Sequence, residues 1–186
     1  MNRGCKKRMF AALAAAMMAG GCRIVSDSSV LARVNGEAIT FKDYKAQYMK
    51  WPAQFRAQNK SPGFRQSLLE SLIDVKVIVS VARKEGFDRS AEYQSVLQGA
   101  APTDDSLASN YMRTMYSGAW KPKKSEIASY YRQHQAQFGR QPLTVAEPAV
   151  VRELLGRKFS EWRVRERAAA KIEIDEKLLN SVSLPQ

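Results

Sequence analysis

Residues 61–86 read SPGFRQSLLESLIDVKVIVSVARKEG, and this stretch decides the fold. Ser61 is a favourable N-cap, Pro62 suits the first helical position, and Gly86 is typical of a helix C-terminus. Two apolar stripes run between them: Phe64, Leu68, Leu72, Val75, Val79 and Ala82, and Leu69, Ile73, Val77 and Val81. Because a helix with two apolar stripes packs between neighbours, we predict a central helix over residues 62–85, with Leu72 buried in its middle.

Upstream of this helix, residues 30–40 (VLARVNGEAIT) predict a hairpin. Asn35-Gly36 is a strong turn dipeptide, and short apolar runs flank it. Thr40, with Asp43 three residues later, has the spacing of a capping box and predicts the start of a helix.

Downstream, the sequence predicts further helices and one more strand. The helices cover residues 91–98, 104–117 and 145–170, with another that Ser125 caps, and the strand is KIEID at 171–175. The arginines of residues 152–167 are interpreted as the exposed face of the last long helix. A lone strand leaves backbone groups unpaired, so residues 30–34 and 171–175 should pair. The fold class is therefore mainly α, with a small sheet pairing N-terminal and C-terminal strands.

The N-terminus predicts a targeting segment. A basic start is followed by an apolar run, residues 9–19, and by small residues directly before Cys22. This order resembles a bacterial lipoprotein signal, in which the cysteine is lipidated after cleavage; an ordinary secretory signal with a chance cysteine is the alternative. We predict a signal peptide at residues 1–21, a tether at 22–29 and a single helical domain at 30–182.

Composition limits the chemistry. The only cysteines are Cys5 and Cys22, and the only histidine is His134. A lipidated Cys22 leaves no thiol for a disulfide, a nucleophile or a metal site. His134 shares an apolar helix face with tyrosines, where a packed, hydrogen-bonded histidine is the simpler interpretation. We predict no catalytic residue, no metal and no cofactor.

The charge indicates the partners. The chain has a net charge of +12, and residues 1–21 carry four of its basic residues and no acid, so removing them leaves +8. Such a domain favours anionic lipid or acidic polypeptides, and the export signal argues against nucleic acid. The expected location is the periplasmic face of the bacterial envelope, through an N-terminal lipid; Arg23 after the cysteine favours the outer membrane.

Four stretches in order resemble the SurA-type and PrsA-type peptidyl-prolyl isomerase chaperones. They are VNGEAITFKDY from residue 34, FRQSLLESLIDVKVIVSVARKEGFDRSAEYQSVL from 64, KKSEIASYYRQHQAQF from 123 and ERAAAKIEIDEKLL from 166. The resemblance implies a helical chaperone-like domain. In these families a parvulin isomerase domain commonly follows the tyrosine helix. Here only a few residues separate Phe138 from the last long helix, so we expect no parvulin domain and no isomerase activity.

The resulting functional hypothesis is an envelope lipoprotein that binds unfolded or exported polypeptides without catalysis. The alternative is a scaffold or accessory lipoprotein of a secretion or polysaccharide-export complex. Possible client-binding residues are Trp51, Phe55, Met112, Met115 and Trp120. Aromatic residues at this helical spacing also suit a core face, and Trp51 and Phe55, near Pro52, are the ones expected to be exposed.

Overall fold

The computed structural model describes residues 25–59 and 61–184, so the predicted signal peptide and Cys22 lie outside the described residues. The strands are Val30–Val34 (β1), Glu37–Thr40 (β2) and Ile172–Ile174 (β3). The helices are Phe41–Met49 (α1), Ala53–Gln58 (α2), Pro62–Lys84 (α3), Ala91–Leu97 (α4), Asp104–Ser117 (α5), Lys124–His134 (α6), Leu143–Ala169 (α7) and Glu176–Ser181 (α8). Short 3-10 turns follow α3 and α6. Within the described residues, no helix is long and apolar enough to cross a membrane.

The predicted pairing of the two distant strands is confirmed. The sheet is antiparallel with the order β2-β1-β3. Ala32 lies opposite Ile174, and Val34 lies opposite Ile172. The hairpin turn places Asn35 at φ 51° and Gly36 at φ 87°, which are left-handed conformations that these residue types accept.

Asn35 holds three elements together. Its backbone N–H donates to the Lys171 carbonyl oxygen at 2.9 Å, and its side-chain Oδ1 accepts from the Lys171 backbone N–H at 2.9 Å. Its Nδ2 donates to the Ser80 hydroxyl of α3, also at 2.9 Å. The turn residue therefore fixes the hairpin against both β3 and the central helix.

Helix α3 is central, as predicted, and Ser61 caps it through the Phe64 backbone N–H. Its first half packs under the sheet and α1, and Leu69, Ile73 and Val77 are at most 2% exposed there. The prediction that Leu72 is buried is wrong, because this side chain is half-buried. It packs against the core and also lines an open cavity between α1 and the start of α5.

The second half of α3 forms another core with α4, α5 and α7. Its buried members include Val79, Ala82, Tyr93, Leu107, Tyr111 and Trp162. Three ion pairs join α7 to α3: Arg167 contacts Asp74 and Glu70, each at 2.5 Å, and Arg163 contacts Asp74 at 3.4 Å. Arg167 is therefore not simply part of an exposed arginine face, because it reaches across to α3.

Helix α6 and the first half of α7 enclose a third, smaller cluster around Ile127, Tyr131 and Val150. The cap of α6 differs from the prediction. The helix begins at Lys124, and the Lys123 backbone N–H donates to the Glu126 carboxylate at 2.7 Å. The helix therefore begins two residues earlier than it would if Ser125 were its N-cap, and the Glu126 carboxylate caps it.

Candidate functional site

The corner between α1 and α3 exposes aromatic side chains. Helix α1 ends at Met49, and Pro52 lacks the N–H that would continue it. The chain re-forms a helix at α2, none of whose residues is buried. Met49 is 46% exposed and Trp51 is 41% exposed. The prediction of exposure therefore holds for Trp51 and is wrong for Phe55, which is half-buried because it packs on Phe64.

These side chains form a ladder from the surface to the core. The rings of Trp51 and Phe55 stack with their centroids 4.6 Å apart. Phe55 meets Phe64 edge-on at 5.9 Å, and Phe64 meets the buried Tyr48 at 6.2 Å. We call Trp51, Phe55 and Phe64 the aromatic corner. Its outer ring is supported from below, so the exposed surface is preorganised.

Arg56 locks the backbone of the corner. Its Nη1 donates to the Trp51 carbonyl oxygen at 2.8 Å, and its guanidinium lies 5.8 Å from the centre of the Tyr48 ring. The Tyr48 hydroxyl donates to the Arg56 carbonyl oxygen at 3.1 Å. These contacts hold the loop across Pro52, and they place the Arg56 guanidinium beside the buried Tyr48 ring.

The other predicted client-binding residues lie in a different place. Met112 is 9% exposed, Trp120 is 8% exposed and Met115 is half-buried. The Trp120 ring lies 5.6 Å from that of Trp162. Met112 and Trp120 are core residues, because both belong to the buried cluster around α3, α5 and Trp162 of α7. The five predicted residues therefore form two separate groups.

The remaining titratable groups of interest are structural. The His134 Nδ1 lies 2.9 Å from the Tyr130 carbonyl oxygen, and the two rings stack at 4.0 Å. This is the packed, hydrogen-bonded histidine that the sequence predicts. Burial, together with a hydrogen bond to the Glu85 carboxylate at 2.8 Å, raises the pKa of Tyr111. Within the described ranges, no group of three His, Cys, Asp or Glu side chains could hold a metal ion.

Sequence reasoning missed the role of Phe64 in the corner. It belongs to the main apolar stripe of α3, which indicates a core residue, and it is half-buried. Phe64 also supports the Phe55 ring, and this contact depends on where α2 folds back over α3. No local spacing signals that contact, because Phe55 and Phe64 lie on different helices.

The comparisons with known proteins agree with this architecture. A family model for the SurA-like N-terminal domain matches residues 9–111. Within the described residues this span runs from β1 into α5 and includes the whole aromatic corner. No curated protein and no solved structure matches the chain.

Proposed function

Because the chain belongs to the family of SurA-like N-terminal domains, a chaperone-type family, we propose that it binds unfolded or exported polypeptides in the bacterial envelope and performs no catalysis on them. The aromatic corner is the proposed contact surface. The observation that carries the proposal is the stacking of Trp51, which is 41% exposed, on Phe55 of α2, a helix that buries none of its residues.

Energetics favour this use of the corner. Exposed apolar surface that is contiguous costs solubility, and it commonly marks an interaction site. Aromatic rings bury a large area with few rotatable bonds, so they bind varied apolar partners at a small entropic cost. Met49 adds an adaptable side chain beside them. Such a surface can hold many different unfolded segments weakly.

Catalysis would require a preorganised pocket in addition to a binding surface. Proline isomerisation has a barrier of roughly 18–20 kcal/mol, which only a preorganised pocket lowers appreciably. The corner has a flat, stacked surface and one guanidinium, and that guanidinium is engaged by a backbone carbonyl. We therefore expect the purified protein to leave the cis–trans exchange of a proline peptide at its background rate.

The decisive experiment measures aggregation of an unfolded outer-membrane protein by light scattering. The purified protein should slow it at a near-stoichiometric ratio, and the double variant Trp51→Ala/Phe55→Ala should have lost most of this effect. Val164→Ala is the matched control, because Val164 is 63% exposed on α7, far along the chain from the corner. Circular dichroism should show that all three proteins are folded.

Two outcomes would contradict the proposal. If several unrelated clients aggregate at the same rate with and without the protein, while one complex co-purifies from native membranes, the protein is a scaffold. Measurable isomerase turnover would show that the protein is an enzyme.

We also propose that Cys22 anchors the protein by a lipid at the periplasmic face, with the outer membrane favoured. The support is the order of basic, apolar and small residues before Cys22. Cys22→Ser should abolish incorporation of radiolabelled palmitate and leave an unprocessed precursor on a gel. Equal labelling of the two proteins would exclude this anchor without affecting client binding.

A further inference from the structure

A cavity of about 200 Å³ opens between α1, α3 and the start of α5. Its apolar lining comes from three elements: Ile39 of β2, Ala46 of α1, and Leu72 and Val75 of α3. Apolar cavities of ~150 Å³ accept a benzene-sized group. The space is therefore large enough for one aliphatic or aromatic side chain.

Leu72 shows that this space is a feature of the fold. It lies in the middle of the central helix, on its main apolar stripe, and yet it is half-buried. Ile73, its neighbour in sequence, is fully buried. Leu72 packs against the core cluster that includes Ile73, and it also lines the open cavity, so its burial is incomplete on that side.

Charged groups surround the opening. Lys50, directly after α1, and Asp105 of α5 form an ion pair of 2.6 Å at this opening, and each side chain is more than half exposed. Asp43 also lines the cavity, and in the described part of the chain it belongs to no ion pair. An exposed ion pair contributes little stability, so Lys50 and Asp105 can separate at small cost.

We propose that this cavity is a pocket that takes one apolar side chain of a bound polypeptide, at a position next to a basic residue. The proposal rests on the client-binding function proposed above and names what the client must offer. Two observations select the occupant. Part of the lining is apolar, and the charged groups at the rim and in contact with it comprise four carboxylates, against three basic groups: Glu37, Asp43, Asp104 and Asp105 against Lys50, Lys76 and Arg83.

The position of the pocket suits a chain that also touches the aromatic corner. Gln47 of α1 and Lys50, the residue after this helix, line the cavity, and Trp51 follows directly. The stacked rings lie beyond the end of the same helix. A client segment crossing this helix end would place one side chain in the pocket and others against the corner, so the corner would provide affinity and the pocket would provide selectivity.

The test uses fluorescent peptides that differ at one central position, measured by anisotropy with the full-length protein. With lysine beside that position, leucine in place of alanine should tighten binding about tenfold, as expected for partial burial of three carbons. Ala46→Phe adds a ring to an exposed residue of the cavity wall and should reduce this selectivity to less than about twofold. Ala168→Phe, which adds the same ring at an exposed site on α7, should leave the selectivity unchanged.

The outcomes separate this inference from the proposed function. Peptide binding with equal leucine selectivity in the wild type and Ala46→Phe would overturn the pocket and leave the aromatic corner in place. Tighter binding of glutamate-flanked than lysine-flanked peptides would overturn the assigned occupant. A dimer that Ala46→Phe abolishes would assign the cavity to a second copy of the chain instead. No binding of any peptide by the wild type would contradict the proposed function itself.

Discussion

Aromatic residues are partly exposed in one region of the molecule and buried in another. At the aromatic corner, Trp51 lies in the turn after α1, Phe55 lies on the six-residue helix α2, and Phe64 lies at the start of α3. At the junction of α5 and α7, Trp120 and Trp162 lie in a cluster with Phe159 and Tyr116, and both tryptophans are at most 8% exposed. We call this second group the aromatic cluster.

The difference between the two regions shows what decides whether an aromatic side chain is buried or exposed. Residue type and helical spacing are similar in the two regions. The aromatic cluster is enclosed because α7 is 27 residues long and covers both α3 and α5. The aromatic corner stays open because Pro52 ends α1 and the chain turns away before a second layer can form. The same chemistry therefore stabilises the fold in one place and is available for binding in the other.

The largest effect should come from Trp162→Ala. This change removes the centre of the aromatic cluster and leaves a cavity, so the free energy of unfolding should fall by about 3–5 kcal/mol. Urea denaturation followed by circular dichroism measures it. A loss below about 1 kcal/mol would mean that the cluster is loosely packed and that the two regions do not differ.

Phe64→Ala should have an intermediate effect. Phe64 is half-buried, so the loss should be about 1–2 kcal/mol, with Ile73→Ala on the same helix as the fully buried reference. Because Phe64 supports Phe55, binding of unfolded clients should also weaken. If stability falls while client binding is unchanged, client binding at the aromatic corner does not depend on the contact between Phe64 and Phe55.

Tyr111 should make the stability of the protein sensitive to alkaline pH. Its ring lies 6.4 Å from that of Trp162, at the edge of the aromatic cluster. Burial and the Glu85 carboxylate raise its pKa in the folded state above the ordinary value of about 10. The protonated form is thus favoured on folding. The resulting stabilisation is complete below pH about 10 and is lost as the pH rises above it. Tyr111→Phe should cost about 1 kcal/mol at neutral pH, and that difference should shrink above pH 10 in thermal melts; a constant difference would contradict it.

Trp51→Ala should have the smallest effect on stability, within about 0.5 kcal/mol, because its ring is largely a surface group. Its effect on client binding should nevertheless be the strongest of these variants. The ratio of the two effects, measured by denaturation and by aggregation, distinguishes a binding residue from a core residue. A loss of several kcal/mol would show that the corner is structural.

The sequence predicts most of the elements in the described residues because their signals are local. Asn35-Gly36 predicts the hairpin, and Ser61-Pro62 predicts the start of α3. The pairing of β1 with β3 followed from a physical requirement, since backbone groups of a lone strand need partners. Pro52 correctly indicated an exposed Trp51. The division into signal peptide, tether and domain stays a prediction.

What failed depends on contacts between distant segments. Met112 and Trp120 have the composition of a binding surface, and they are buried by packing with distant segments, as the contact of Trp120 with Trp162 shows. Leu72 has the periodicity of a buried residue, and its exposure reflects a gap between α1 and α5. Periodicity indicates which face of a helix is apolar, and it contains no information about whether a neighbour covers that face.

The contacts of Asn35 have a consequence for how the chain is made. Its partner Lys171 lies 136 positions later in the sequence. Chains emerge from the ribosome N-terminus first, at ~5–20 residues per second, so about 7–27 seconds pass before β3 can meet β1. During that interval the β1 edge is open for pairing with other chains. Until β3 is made, the unpaired edge of β1 therefore exposes this protein to the same aggregation that it is proposed to prevent in other chains.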